Sequence, residues 1–448
     1  MRSSRVLSSL TGILAVSTVA LARAGESTDI NPALLYYRAI LLTPEISAGL
    51  SDEDREMILG SRIPDPSREV VSVARLIEAY NPTFRLLRQA ASSKARCDWG
   101  TEILENPQWL MPVHTRAKAL CHAAFFRARH FFDASRQDDA VADLIAVWTL
   151  ARNLSAHRTL FSVRVRDSME ALLDEFVAEH FHRFAPETLR ALAADLDALP
   201  DRGSVADAVE PEKQRFVASE LRPLVQLRAE LSGDDGAVIA HFRERRLREA
   251  KSSGGSLETA AQITAEMDRF IAEAGGTGEG LQRYLEAVVD RHAAVETLLR
   301  LPPVAYLDRS AQLQGDLDGD DNSMARRFVR VAVAARNVGL VIDVRWQMLR
   351  AAIQHRLDGS SAAFERVQDP AGDGPFTVRR VIVEGVDRGF ALESALQVRG
   401  FNETLIFVER PGPPIIVAGY RTGQLRPPPV DIETRMLERY GIKPSAKP

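Results

Sequence analysis

The sequence predicts a mainly α fold: an irregular α-hairpin array, similar to a tetratricopeptide array, that ends in a small C-terminal antiparallel β-sheet. Three observations predict it. Between Met111 and Pro200, four segments repeat apolar residues every three or four positions and are separated by short polar joints. A single uninterrupted helical pattern, "MARRFVRVAVAARNVGLVIDVRWQMLRAAIQHRL", follows near residue 324. After Gln368 the pattern shifts to short runs of β-branched and aromatic residues divided by turn signals.

The elements follow in chain order. "MRSSR" carries two arginines, "VLSSLTGILAVSTVALA" is apolar, and "ALARAG" offers the small residues that a signal peptidase reads, so residues 1–24 are expected to be a signal peptide. The apolar run is close to the shortest that spans a bilayer, which leaves an uncleaved anchor as the alternative, and no second run of about 18 apolar residues follows. No cysteine follows the cleavage site, which argues against a lipid anchor. The expectation is export to the periplasm or cell envelope, with no integral membrane span after cleavage.

Residues 25–200 form the predicted array. "NPALLYYRAILL" opens it with Pro32 in a first turn, and a longer helix through "VARLIEAYNPTFRLLRQAASS" is expected to break near Asn81-Pro82. The joints between the next four segments are short enough to force antiparallel neighbours. The 34-residue tetratricopeptide signature does not recur, so the array is irregular. Residues 201–322 read as a charged helical arm and linker, interrupted by "SGDDGA", "SSGGS" and "AGGTGEG"; its segment "HFRERRLREAKS" should face water.

Residues 323–367 hold the long helix, with a stripe through Phe328, Val331, Ala335, Val338, Ile342, Leu349 and Ile353 that should make it the most buried in the protein. Residues 368–425 should supply three or four short strands packed on that helix, because so small a sheet is marginal alone. Residues 426–448 are a proline-rich tail.

The segments "AARNVGLVIDVRWQMLRAAIQHRLDG" and "DPAGDGPFTVRRVIVEGVDRGFALES", with "NPALLYYRAILLTP" and "LIAVWTLARNL" upstream, resemble a group of uncharacterised exported helical proteins from large bacterial genomes. The likeness rests on Asp369, Pro370 and Gly389-Phe390, and departs where Ala371-Gly372 replaces an aromatic residue. It implies export and a helical body with a small β end, and implies no activity.

Charge restricts the function. The net charge is -4, and only six of the 57 basic residues are lysines, with arginines spread along helical faces; nothing points to nucleic acid. Cys97 and Cys121 are the only cysteines and form no CxxC; a disulfide between them and two separate buried thiols both fit.

Candidate sites are few. "GDLDGDDNS" places Asp316, Asp318 and Asp320 at the first three ligand positions of a calcium loop. Asp321 then occupies the glycine position and Arg327 the position of the closing glutamate, which excludes the standard loop. The residues read instead as a solvated loop whose Asp320, Asp321, Asn322 and Ser323 cap the long helix, with a looser calcium site as the alternative and no other cofactor expected. His114, His122 and His130 are rotated about 80° from one another on a helix and share no face. Glu175, Glu179, His180 and His182 contain one Glu-x-x-His half of a di-iron site without a second, and read as an exposed helix end. "GGTGEG" follows a helix and reads as a joint, and Trp99 and Trp109 read as core. No GxSxG, HExxH or GxxxxGK[ST] occurs, so no catalytic residue is assigned.

The favoured expectation is an exported, non-catalytic helical scaffold that contacts another envelope protein or its own copy. The alternatives are an exported hydrolase of an envelope polymer, with carboxylates drawn from separate helices, and a periplasmic ligand-binding module.

Overall fold

A computed structural model describes residues 30–43, 70–100, 111–252, 257–317, 322–398, 401–412, 415–417 and 420–421. Residues 1–24, expected to be a signal peptide, and residues 426–448 lie outside the described residues. The chain is mainly helical and closes with a small three-stranded antiparallel sheet.

Helix α1 (Pro32–Leu42) starts as its sequence dictates: Pro32 occupies the first turn and the Asn31 side chain accepts from the Ala33 amide at 3.1 Å. The same Asn31 amide donates to the Asp98 carbonyl at 2.6 Å, which fixes the loop after the next helix. Tyr36 and Tyr37 then pack on Trp99, at 5.6 and 5.2 Å between ring centroids.

Helix α2 (Val70–Ala91) is continuous through Pro82, contrary to the expected break. A proline inside a helix leaves carbonyls of the preceding turn without amide partners. Beside it the Arg127 guanidinium donates from Nη1 to the Ile77 carbonyl at 2.9 Å and to Asn81 Oδ1 at 2.7 Å, which ties this turn to the next helix.

Helices α3 (Met111–Asp133), α4 (Gln137–Leu154), α5 (Leu160–Glu179) and α6 (Pro186–Asp197) match the four predicted segments. A three-residue connection joins α3 to α4, so the two pack as a hairpin. Thr159 and Ser162 form a reciprocal capping box at the start of α5.

The charged arm contains α7 (Val209–Phe216), a π-type turn (Val217–Leu221), α8 (Arg222–Glu230), α9 (Asp235–Ser252), α10 (Leu257–Glu273) and α11 (Gly278–Leu299). It has a small core of its own, in which Val238, Ile239 and Phe242 of α9 meet Met267, Ile271, Leu281 and Leu285. The "HFRERRLREAKS" helix is therefore amphipathic and not wholly solvated. Between α10 and α11 the glycine joint is a tight stop: Gly276 adopts φ +73° and its amide bonds the Ile271 carbonyl at 2.8 Å.

Helix α12 (Pro303–Leu317) leads to α13 (Ser323–Asp358), which packs on α5, α6, α11, the short α14 (Ala362–Arg366) and the sheet. The buried face of α13 is rotated from the expected stripe: Ala335, Ile342, Leu349 and Ile353 are buried, but Val331 and Val338 are 37% and 42% exposed. Burial is more complete on α4 and α5, which are covered by neighbours on more than one face.

Strands β1 (Thr377–Val383), β2 (Val386–Val398) and β3 (Phe401–Val408) pair in sequence order. Phe390 and Phe407 face each other in register and form an aromatic cluster with Phe181, Phe364 and His355. Gly389 has to be glycine: φ is +144°, and a Cβ there would lie 2.1 Å from the Phe407 carbonyl oxygen. Asp369 is a staple for the incoming loop, accepting from the Ser394 hydroxyl at 2.8 Å and from the Ala395 amide at 2.6 Å.

Candidate functional site

Helix α5 carries an unusual stripe. Val163, Asp167, Glu170, Asp174 and Val177 recur every three or four residues, so one face of a core helix begins and ends apolar and is acidic in the middle. Asp167, Glu170 and Asp174 are all fully buried. Burying charge is unfavourable unless it is paired, and arginines from α5 itself, from α4 and from the loop after α6 supply most of the pairing.

Arg166 donates from Nε and Nη2 to Asp167 Oδ1, at 2.9 and 2.7 Å. Arg152 on α4 donates to Glu170 at 3.0 Å and to the Pro200 carbonyl at 2.9 Å, and stacks over Trp346. Arg202, in the loop after α6, reaches Glu170 and Asp167 at 2.7 Å each and also Asp343 on α13. Burial alone would raise Glu170, but Arg202, Arg166 and Arg152 outweigh it and hold the carboxyl below the usual range.

A second set lies one turn further along α5. Arg345 of α13 donates to Glu403 on β3 at 2.6 Å and to Glu175 at 2.7 Å, so one guanidinium ties the long helix to both the array and the sheet. Burial opposes the Arg345 charge, yet Glu403 and Glu175 reverse the balance and raise its pKa above the ordinary arginine value.

Asp174 sits between these two sets and differs from both. Neither of its oxygens has a hydrogen-bond partner. Burial, reinforced by Glu170, pushes its carboxyl well above the usual range and favours the protonated form.

A polar cleft of about 360 Å³ opens beside the first set, between the loop 201–207 and the Arg336, Gly339 and Asp343 face of α13. Its acids are engaged: Asp343 meets Arg202 and Arg336, and Asp207 meets Arg300 and the Ser204 amide.

Asp318 and Asp320 lie outside the described residues, and Asp316 lies in the last turn of α12. Asn322 is the cap of α13, accepting from the Ala325 amide at 2.8 Å while its own amide donates to the Tyr284 carbonyl at 2.8 Å. Among the described residues, no three His, Cys, Asp or Glu side chains group to hold a metal ion.

His114 is buried against Phe161, and His122 is held below its ordinary pKa by burial and by Lys118 and Arg129. The end of α5 is not exposed as expected. His180 is buried, stacks on Phe176 at 4.2 Å, donates from Nδ1 to the Phe176 carbonyl at 3.0 Å and accepts from Arg129 at 3.2 Å. Burial and Arg129 keep it neutral.

Cys97 and Cys121 are both buried and carry free thiols. Trp99 is core, donating to the Asn153 carbonyl at 2.9 Å, and Trp109 lies outside the described residues.

Sequence reasoning missed Asp167, Glu170, Asp174, Arg202, Arg345 and Glu403. The available signal was the interruption of the apolar face of α5 by three acids and of α13 by Arg345. No known protein family matches the chain, and no curated protein or solved structure matches it.

Proposed function

We propose that this protein is an exported, non-catalytic helical scaffold of the cell envelope, which presents its hairpin array to another envelope protein or to its own copy. One observation carries the reading. The carboxylates gathered from separate helices, the feature that a hydrolase would need, hold arginines that tie α4, α5, α13 and β3 together. A general acid or base has to exchange a proton with substrate, whereas these groups are fixed in ion pairs, and Asp174 is enclosed without a hydrogen bond. Among the described residues no helix is long and apolar enough to cross a membrane.

The test has two arms. Residues 1–24 fused to alkaline phosphatase should give activity that depends on export, and loss of Arg2 and Arg5 should reduce it. The purified chain should release no soluble product from isolated cell-wall polymer. Release that Glu170→Gln abolishes, in a variant that still folds, contradicts the scaffold reading and restores the hydrolase. A second reading, a ligand-binding module, is favoured by the cleft at Arg336.

A further inference from the structure

The cleft contains a guanidinium that the fold leaves short of acceptors. Arg152, Arg166 and Arg202 each donate both to a carboxylate and to a backbone carbonyl. Arg336 differs: its one hydrogen bond among the described residues is long, from Nη1 to Asp343 Oδ2 at 3.4 Å, and its Nε is buried without a partner. Its side chain is only 16% exposed, and it rests 5.7 Å from the Tyr306 ring centroid. A guanidinium largely removed from water and so weakly bonded still needs an acceptor, and Nη2 has none among the described residues.

Charge counting points the same way. The connected network holds four guanidinium groups, Arg152, Arg166, Arg202 and Arg336, against three carboxylates, Asp167, Glu170 and Asp343. Asp174 adds no negative charge while it stays protonated. One positive charge is left over, and Arg336 is the member at the cleft with bonding capacity to spare. Asp207 is paired with Arg300, and Asp201 is exposed to water, so neither cancels it.

The walls add acceptors and a hydroxyl from Asp201, Asp207 and Ser204, and the volume of about 360 Å³ suits a molecule the size of a monosaccharide. We propose that the cleft binds a small hydroxylated oxyanion, a sugar acid or a sugar phosphate. Its anionic group lies on Arg336, and its hydroxyl groups on Ser204, Asp201 and Asp207. This inference rests on the bonding of Arg336 and is independent of whether the array docks a protein.

Calorimetric titration of the full chain with glucuronate, glucose 6-phosphate, glucose and inorganic phosphate tests it. At least one anionic sugar should bind saturably, and the pair separates carboxylate from phosphate recognition. Glucose and inorganic phosphate should bind at least about tenfold more weakly, and Arg336→Gln should weaken the anionic sugar about tenfold to a hundredfold. Absence of binding by both anionic sugars, binding that Arg336→Gln leaves intact, or inorganic phosphate binding as tightly as the sugar phosphate each overturns the proposal. If Arg336→Gln does not fold, hydrogen exchange of the wild-type chain decides. Slower exchange in 201–207 and 336–343 on adding the anionic sugar supports the site, and unchanged exchange there overturns it.

Discussion

Among single side chains, Asp174 has the clearest consequence for pH. Its folded pKa is raised above the value of about 3.9 expected in the unfolded chain, so between the two values the folded state binds the extra proton. Stability from this group therefore falls as pH rises from about 4 through the folded pKa. Asp174→Asn keeps the shape and removes the titration. It should match the wild type near pH 4 and exceed it at higher pH, the gap growing by about 1.4 kcal/mol per pH unit up to the folded pKa, in urea melts. A gap that stays constant across that range shows that Asp174 does not titrate as described. The two thiols give a second check. Burial pushes Cys97 up to about 12 and Cys121 higher still, so neither should react with a thiol reagent at pH 8 in the folded protein, and both should react after denaturation. Reaction of fewer than two thiols per chain after non-reducing denaturation indicates a bridge.

At the scale of elements, local signals were read well wherever one period and one cap defined the structure. The boundaries of α4, α5 and α13 follow from apolar spacing and from residues such as Thr159 and Asn322. The errors came where a distant residue decides a local outcome. Pro82 does not break α2, and Arg127, on the next helix, braces that turn through the Ile77 carbonyl and the Asn81 side chain. Val331 and Val338 belong to the expected stripe by period but face outward, because the neighbours of α13 cover the face through Val329, Val333, Leu340 and Val344. Asn322 links both levels, since it caps α13 and also bonds α11 through Tyr284. Asn322→Ala should cost about 1–2 kcal/mol and speed hydrogen exchange in the first turn of α13. Exchange unchanged in that turn removes Asn322 from the account of how the helix starts.

Over the whole molecule, the sequence specified a helical body and a small β end, yet it concealed what joins them. Arg345 looks like one more arginine on a helix rich in them, and Glu403 is an ordinary strand residue; only the packing of α13 between α5 and β3 brings them together. The same holds for Arg202, whose loop reads as a simple joint and whose side chain reaches both α5 and α13. The central claim is that these buried ion pairs hold the array, the long helix and the sheet in one arrangement. A double-mutant cycle on Arg345→Met and Glu403→Gln, read by urea unfolding, tests it most directly. Arg345→Met alone should cost about 3–5 kcal/mol, because it strands buried carboxylates. The double variant should recover part of that loss, with a coupling energy of about 1–3 kcal/mol. Costs that add to within about 0.5 kcal/mol would show that the pair does not join the two elements, and would contradict the account.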